Sequence, residues 1–142
     1  MPAEGELQFV DTNVLLYAHD LSAADKHTKA EALLRGLWDS GCGCLSLQVL
    51  QEFYVVVTQK VPRPIEPKEA SGLIADLACW RVHIPQAVDI LEAIVVQQET
   101  SISFWDAMIV RSARALGCRT LWSEDLGHGR AFGGMKVLNP FH

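Results

Sequence analysis

The chain has no long apolar run, no CxxC pair and no surplus of basic residues, and each lack removes a class of function. The longest apolar-looking stretch, AVDILEAIVVQQ, carries Asp89 and Glu92, so no segment offers the ~20 uninterrupted apolar residues of a membrane span. The opening MPAEGEL is acidic and lacks the basic-then-apolar pattern of a signal peptide. A soluble cytoplasmic protein is therefore expected. The four cysteines, Cys42, Cys44, Cys79 and Cys118, have no zinc-like spacing with the histidines, which leaves free, mostly buried thiols. A net charge of −5 argues against a protein that coats nucleic acid by charge alone. Arg111, Arg114, Arg119, Arg130 and Lys136 still make the last third basic enough to face phosphates.

Apolar periodicity gives an alternating order of strands and helices. LQFV reads as a strand and VLLYA starts a helix; SAADKHTKAEALLRGLW reads as a further helix with Ser22 as its cap. After the Gly41–Gly43 turn comes a brief strand, Cys44–Leu45, then a helix capped by Ser46 that runs to about Gln59 and stops before Pro62–Arg63–Pro64. A helix over Lys68 to Trp80, a strand at Arg81–Ile84, and a helix marked by Ala87, Ile90, Leu91, Ile94 and Val95 follow. Ser103 opens a helix to about Leu116, and Thr120–Ser123 and Met135–Leu138 are strands. This alternation, with short connections and no linker, repeat or low-complexity tract, predicts one α/β domain over residues 1–142. Its parallel sheet is covered on both faces.

Four acids sit in separate contexts, Asp11 in FVDTNVLLYA, Glu52 in LSLQVLQEFYVVVT, Asp106 in SFWDAMIVRSARALG and Asp125 in LWSEDLGHG, and the first, third and fourth stand where apolar runs change character. Strand ends in α/β folds line the ligand crevice. Carboxylates ~5 Å apart repel by roughly 3 kcal/mol at an effective dielectric near 20, so a converging set takes up protons or cations. Oxygen-only ligands favour Mg²⁺ or Mn²⁺. Each acid also has a plainer reading. Asp11 suits a helix N-cap, Glu52 sits at the edge of its helix's polar arc, Asp106 completes the S-x-x-D pattern of a capping box with Ser103, and Asp125 suits a turn before Gly127. Trp105, near Ile102 and Met108, is expected in the core, with stacking on a base as the other reading. His128, alone in a glycine-rich loop, stays outside the site.

Taken together and in order, these four segments, with the closing VLNPF, resemble the PIN-domain ribonucleases, most of all the VapC-type toxins of toxin–antitoxin pairs. The resemblance covers nearly the whole chain. It implies a three-layer α/β/α fold around a parallel sheet of about five strands. It also implies metal coordination by Asp11, Glu52, Asp106 and Asp125, with Thr12 and Ser123 as polar supports. Further implications are Mg²⁺ or Mn²⁺ as cofactor, endonucleolytic cleavage of RNA, a homodimer, and inhibition by a small antitoxin protein. Glu124 and Asp125 are adjacent, so either can supply the fourth ligand; strand alternation would group Asp125 with Ser123 and set Glu124 apart. Target specificity is expected in the Pro62–Pro67 loop and the Gly127–Gly134 segment.

Two other classes fit parts of the pattern. A haloacid-dehalogenase-like phosphatase also begins with a strand-end Asp, but needs a second Asp two residues on, where this chain has Asn13. A non-catalytic PIN-like module would use the acidic cleft to hold a basic peptide.

Overall fold

The computed structural model describes residues 2–142; Met1 of the opening MPAEGEL lies outside them. The described residues form strands β1 (Gln8–Val10), β2 (Gly43–Ser46), β3 (Arg81–His83), β4 (Thr120–Trp122), β5 (Ala131–Phe132) and β6 (Met135–Leu138). The helices are α1 (Thr12–Ala18), α2 (Asp25–Ser40), α3 (Leu47–Gln59), α4 (Pro67–Leu77), α5 (Ala87–Thr100) and α6 (Phe104–Ala115). None is long and apolar enough to cross a membrane. The strands lie in the order β3-β2-β1-β4-β6-β5, parallel except for β5, which pairs antiparallel with β6.

That order determines where a ligand crevice lies. The chain builds outward from β1 through β2 to β3, then returns to place β4 on the other side of β1. At such a reversal the connections leave β1 and β4 in opposite directions, opening a crevice beyond their carboxyl ends. Every residue of β2 and of β4 is buried. Successive side chains point to opposite faces, so both faces of the sheet are covered. Phe9, Val14, Leu15, Leu45, Phe53, Val110, Leu121 and Val137 are among the fully or almost fully enclosed side chains of the core.

The short elements follow from their caps. Ser46 accepts from Val49 N to start α3, Pro67 occupies the first turn of α4, and Ser103 accepts from Asp106 N to start α6. Ser22 does not cap α2. It sits in a 3₁₀ turn, Leu21–Ala23, capped by Asp20, and α2 begins after Ala24, whose φ is 53°. The helix at α5 forms as expected with a different face inward: Asp89, Ala93 and Val96 are buried, while Leu91 is 63% exposed and Ile90, Ile94 and Val95 also face outward. The reason is polar. Arg111 Nε donates to Asp89 Oδ1 at 2.9 Å and Gln86 N donates to Oδ2 at 2.8 Å, so α5 is riveted to α6 through an ion pair. The Gln86 N–H, then the Arg111 guanidinium, hold the Asp89 carboxyl below the usual range against the cost of burial. His83, at the end of β3, joins through Ser112 Oγ at 2.9 Å. The two-residue strand β5 has no counterpart in the sequence reading, which gave about five strands. It is too short for periodicity to register.

Gly43 marks a close approach. A Cβ there would lie 2.5 Å from the ring of Trp80, whose edge contact with Trp38 leaves it little room to move. Gly36, exposed in the middle of α2, has nothing within 4 Å of the same position. Chemical denaturation is expected to show Gly43→Ala destabilised by about 1–3 kcal/mol through overpacking and Gly36→Ala stabilised by up to about 1 kcal/mol through helix propensity. The same sign for both would contradict this packing.

Candidate active site at the carboxyl edge of the sheet

β1 ends at Val10, and the next residue, Asp11, closes the ladder to β4 by donating its backbone N–H to Trp122 O at 2.9 Å. Its side chain then turns into the switch-point crevice. Oδ1 accepts from Thr12 N at 2.7 Å, so Asp11 caps α1, and Oδ2 accepts from Ser123 Oγ at 2.8 Å. The cap and the site are thus the same carboxylate. Asp11 is only 8% exposed. Burial pushes its carboxyl up to about 6; hydrogen bonds from Ser123 and Thr12 partly offset this, and the charges of Asp106 and Glu52 push it further.

Those two acids arrive from different helices. Glu52, exposed on the second turn of α3, accepts from Thr12 Oγ1 at 3.1 Å, so the residue after the first acid holds the second. Gln48, one turn earlier, reaches Glu52 Oε1 at 3.4 Å and donates to Trp105 O at 3.2 Å, which ties α3 to the first turn of α6. Asp106 lies in that turn. Its N–H is spent on Ser103 Oγ at 3.1 Å, but among the described residues its carboxylate takes no return bond, so the capping box is only half made.

Strand β4 stops at Trp122, before Glu124, so side-chain alternation does not separate the two adjacent acids. Their partners do. Tyr17 OH donates to Glu124 Oε1 at 3.0 Å and Lys26 forms an ion pair with Oε2, while Lys26 also lies 4.9 Å from the centre of the Tyr17 ring. Asp125, exposed, accepts from Asn13 Nδ2 at 2.8 Å, and its N–H donates to Ser123 Oγ at 3.3 Å. Ser123, fully buried, therefore links Asp125 to Asp11 through one hydroxyl. Asp125 is not among the charges that act on the Asp11 carboxyl.

The structure thus gathers Asp11, Glu52 and Asp106 into one electrostatic field and attaches Asp125 through Asn13 and Ser123. Among the described residues, no three acid, imidazole or thiol side chains are drawn into a tight cage. Each carboxylate with a partner nearby takes a neutral donor instead, as expected of like charges that repel. One more oxygen belongs to the site. Asn13 Oδ1 is buried with no hydrogen-bond partner among the described residues. Asn13 stood out in the sequence as a capping residue and as the absence of a second Asp, not as a partner of Asp125, and Gln48, Tyr17 and Lys26 signal nothing by spacing.

Three of the five basic residues of the C-terminal third are engaged elsewhere. Arg111 is paired with Asp89 and Arg119 with Glu6, and Arg130 donates to Thr100 O. His128 stacks on His142 at 3.9 Å and accepts from Asn139 N, outside the acidic group. A cleft of about 300 Å³ between α1, α2 and α4 opens by Ala18 and His19, at the other end of α1 from Asp11.

A raised carboxyl carries a signed consequence for stability. The folded chain binds the Asp11 proton more tightly than the unfolded chain does, so this contribution is full below about pH 4 and is lost as pH rises through about 6. The move from 3.8 to about 6 is worth about 3 kcal/mol as an upper bound. Urea denaturation in chelator is expected to show Asp11→Asn more stable than the parent near pH 7.5, by up to ~3 kcal/mol, with the gap closing towards pH ~4. A variant no more stable than the parent near neutrality would mean that the carboxylate is not strained.

The fold is shared with known proteins. A toxin–antitoxin complex from Klebsiella pneumoniae contains a chain that superposes with a TM-score of 0.69 at 17% identity, over 94% of this chain and 97% of that one. VapC20 of Mycobacterium tuberculosis, a toxin that cleaves the sarcin–ricin loop, gives 0.61 at 21% identity, over 83% and 89%. VapBC2 from Rickettsia felis, bound to a DNA fragment from its promoter, gives 0.64 at 17% identity, over 92% and 96%. Among the curated proteins none matches. The family model for the PIN domain matches residues 9–131, a span that begins in β1, ends in β5 and includes all four acids, and the chain therefore belongs to the PIN domain family.

Proposed function

We propose that this protein is a metal-dependent endoribonuclease of the VapC type, the toxin of a toxin–antitoxin pair. The observation that carries the reading is Asp11: a dry carboxylate at the switch point of a PIN-domain sheet, raised chiefly by burial and further by two acids, and held by neutral donors alone. Membership of this family sets aside the haloacid-dehalogenase-like alternative. No observation favours the non-catalytic peptide-binding module.

The residues present fit a divalent cation. Every candidate donor is oxygen, the charges on Glu52 and Asp106 already oppose ionisation of Asp11, and Asn13 Oδ1 is a buried oxygen without a donor. Asp11, Glu52, Asp106 and Asp125 would hold Mg²⁺ or Mn²⁺. When bound, such an ion neutralises the scissile phosphate and lowers the pKa of the attacking water. The chain's own part is orientation. Thr12 fixes Glu52, Ser123 fixes Asp11 and the backbone at Asp125, and Asn13 fixes the Asp125 carboxylate. No protein nucleophile is required.

The partners belong to the same reading. Similarity to chains from toxin–antitoxin complexes supports a small antitoxin protein, and RNA as substrate follows from the ribonuclease class. A homodimer is supported by the apolar strip that α5 leaves in water, Val88, Leu91, Ile94 and Val95. The cytoplasm is the compartment that such a toxin needs, because its substrate is there.

Purified protein is expected to cleave RNA only with Mg²⁺ or Mn²⁺ and to stop in excess chelator. Asp106→Asn should reduce the rate by more than about a hundredfold, since even residues behind metal ligands account for ~10–100-fold. Cleavage that persists in chelator, and is absent from the Asp106→Asn preparation, would refute metal dependence. Between the adjacent acids, Asp125→Asn should demand far more Mn²⁺ or fail, whereas Glu124→Gln should stay near the parent; the reverse order across a Mn²⁺ titration would reassign the fourth ligand.

A further inference from the structure

We propose that the indole of Trp105 is a stacking platform for one base of a single-stranded RNA, next to the nucleotide whose phosphate meets the acids; the proposal rests on the ribonuclease reading above. Sequence context placed Trp105 in the core beside Ile102 and Met108. Met108 is buried and Ile102 half-buried, but Trp105 is 64% exposed.

The other three tryptophans have structural partners. Trp38 and Trp80 meet edge to face at 5.3 Å, Trp80 lies against Gly43, and the Trp122 N–H donates to Gln8. Trp105 is the most exposed of the four, at 64% against 45% for Trp38, and its N–H makes no hydrogen bond among the described residues. It is nevertheless held in place. Its carbonyl accepts from Gln48, the residue that also reaches Glu52, and Phe104 meets its ring edge to face at 5.1 Å and 74°. Its Cα is one peptide from that of Asp106, ~3.8 Å away. Neighbours on a helix point about 100° apart, so the ring stands at the rim of the acidic group, within reach of a nucleotide adjoining the one held there.

The charge of the chain's own side chains favours such a platform. The crevice is acidic, the chain carries −5, and Arg111 and Arg119 are paired with Asp89 and Glu6. Phosphate attraction is therefore weak at this edge. Stacking needs no charge, and every base has a face to offer, so it adds affinity without fixing the sequence. Its contribution is also far less sensitive to salt than phosphate contacts are.

The test uses the full chain with Asp11→Asn, so that RNA is bound and not consumed. Two probes are compared, a short mixed-sequence single-stranded RNA and a ribose–phosphate chain of the same length without bases. Adding Trp105→Ala is expected to weaken binding of the RNA about 5- to 100-fold at all salt concentrations and to leave the base-free chain unaffected. Trp105→Phe should recover most of the affinity while abolishing the RNA-dependent quenching of tryptophan fluorescence. In the active protein, Trp105→Ala should raise KM and leave kcat nearly unchanged. Equal RNA affinity with and without the indole, alongside intact metal-dependent cleavage, overturns the platform and spares the ribonuclease reading. A change in sedimenting mass with RNA affinity unchanged also overturns it, in favour of a protein contact. Failure of the parent to bind or cleave RNA sinks both.

Discussion

A carboxylate kept dry at the end of the central strand is the constraint around which this molecule is arranged. Asp11 cannot leave the crevice without losing the cap of α1 and the bond to Ser123, and it cannot ionise there without cost. Thr12, Ser123 and the loop after β4 are placed by that residue. So are the helices that bring Glu52 and Asp106, because α3 and α6 are tied to the same edge through Thr12 and Gln48.

The molecule contains a second buried acid, and the contrast shows what distinguishes a site from a scaffold. Asp89 is at least as enclosed, yet a guanidinium and a backbone N–H hold its carboxyl low. Asp11 has only neutral donors to offset its burial, and burial, with two acids adding to it, holds its carboxyl high. A protein that needed only to bury a carboxylate would treat both alike. Glu124 illustrates the same division at the surface: with Lys26 and Tyr17 it fastens α2 and α1 to the loop after β4, and its charge is already matched.

Most of the fold was legible because its elements announce themselves through periodicity and caps. Ser46 and Ser103 begin their helices as the sequence says, and five of the six strands fall where apolar runs do. The α5 face was not legible, since its greasiest residues are outside and Asp89 is inside with Ala93 and Val96; the distant Arg111 explains that inversion. Ser22 misled because Asp20 caps the local turn first. Within the candidate site, Glu52 and Asp106 act on the Asp11 carboxyl, while Asp125 joins only through Asn13 and Ser123. The roles of Asn13, Gln48, Tyr17 and Lys26 were invisible because each acts through a contact made only after folding. All four thiols are free, but only Cys44 and Cys118 are buried, where most were expected to be; Cys42 is half-buried and Cys79 exposed.

The two margins of the sheet are unusually short. At one side β5 contributes two residues running against the rest, and at the other β3 contributes three before Pro85 halts it. Open strand edges invite another chain to zip on by main-chain hydrogen bonds, and short, reversed or proline-stopped edges refuse it. Association with any partner is thereby steered to side chains. A surface read by side chains can diverge by point substitution while the sheet beneath it stays the same, which suits a fold that shares its outline with relatives at 17–21% identity.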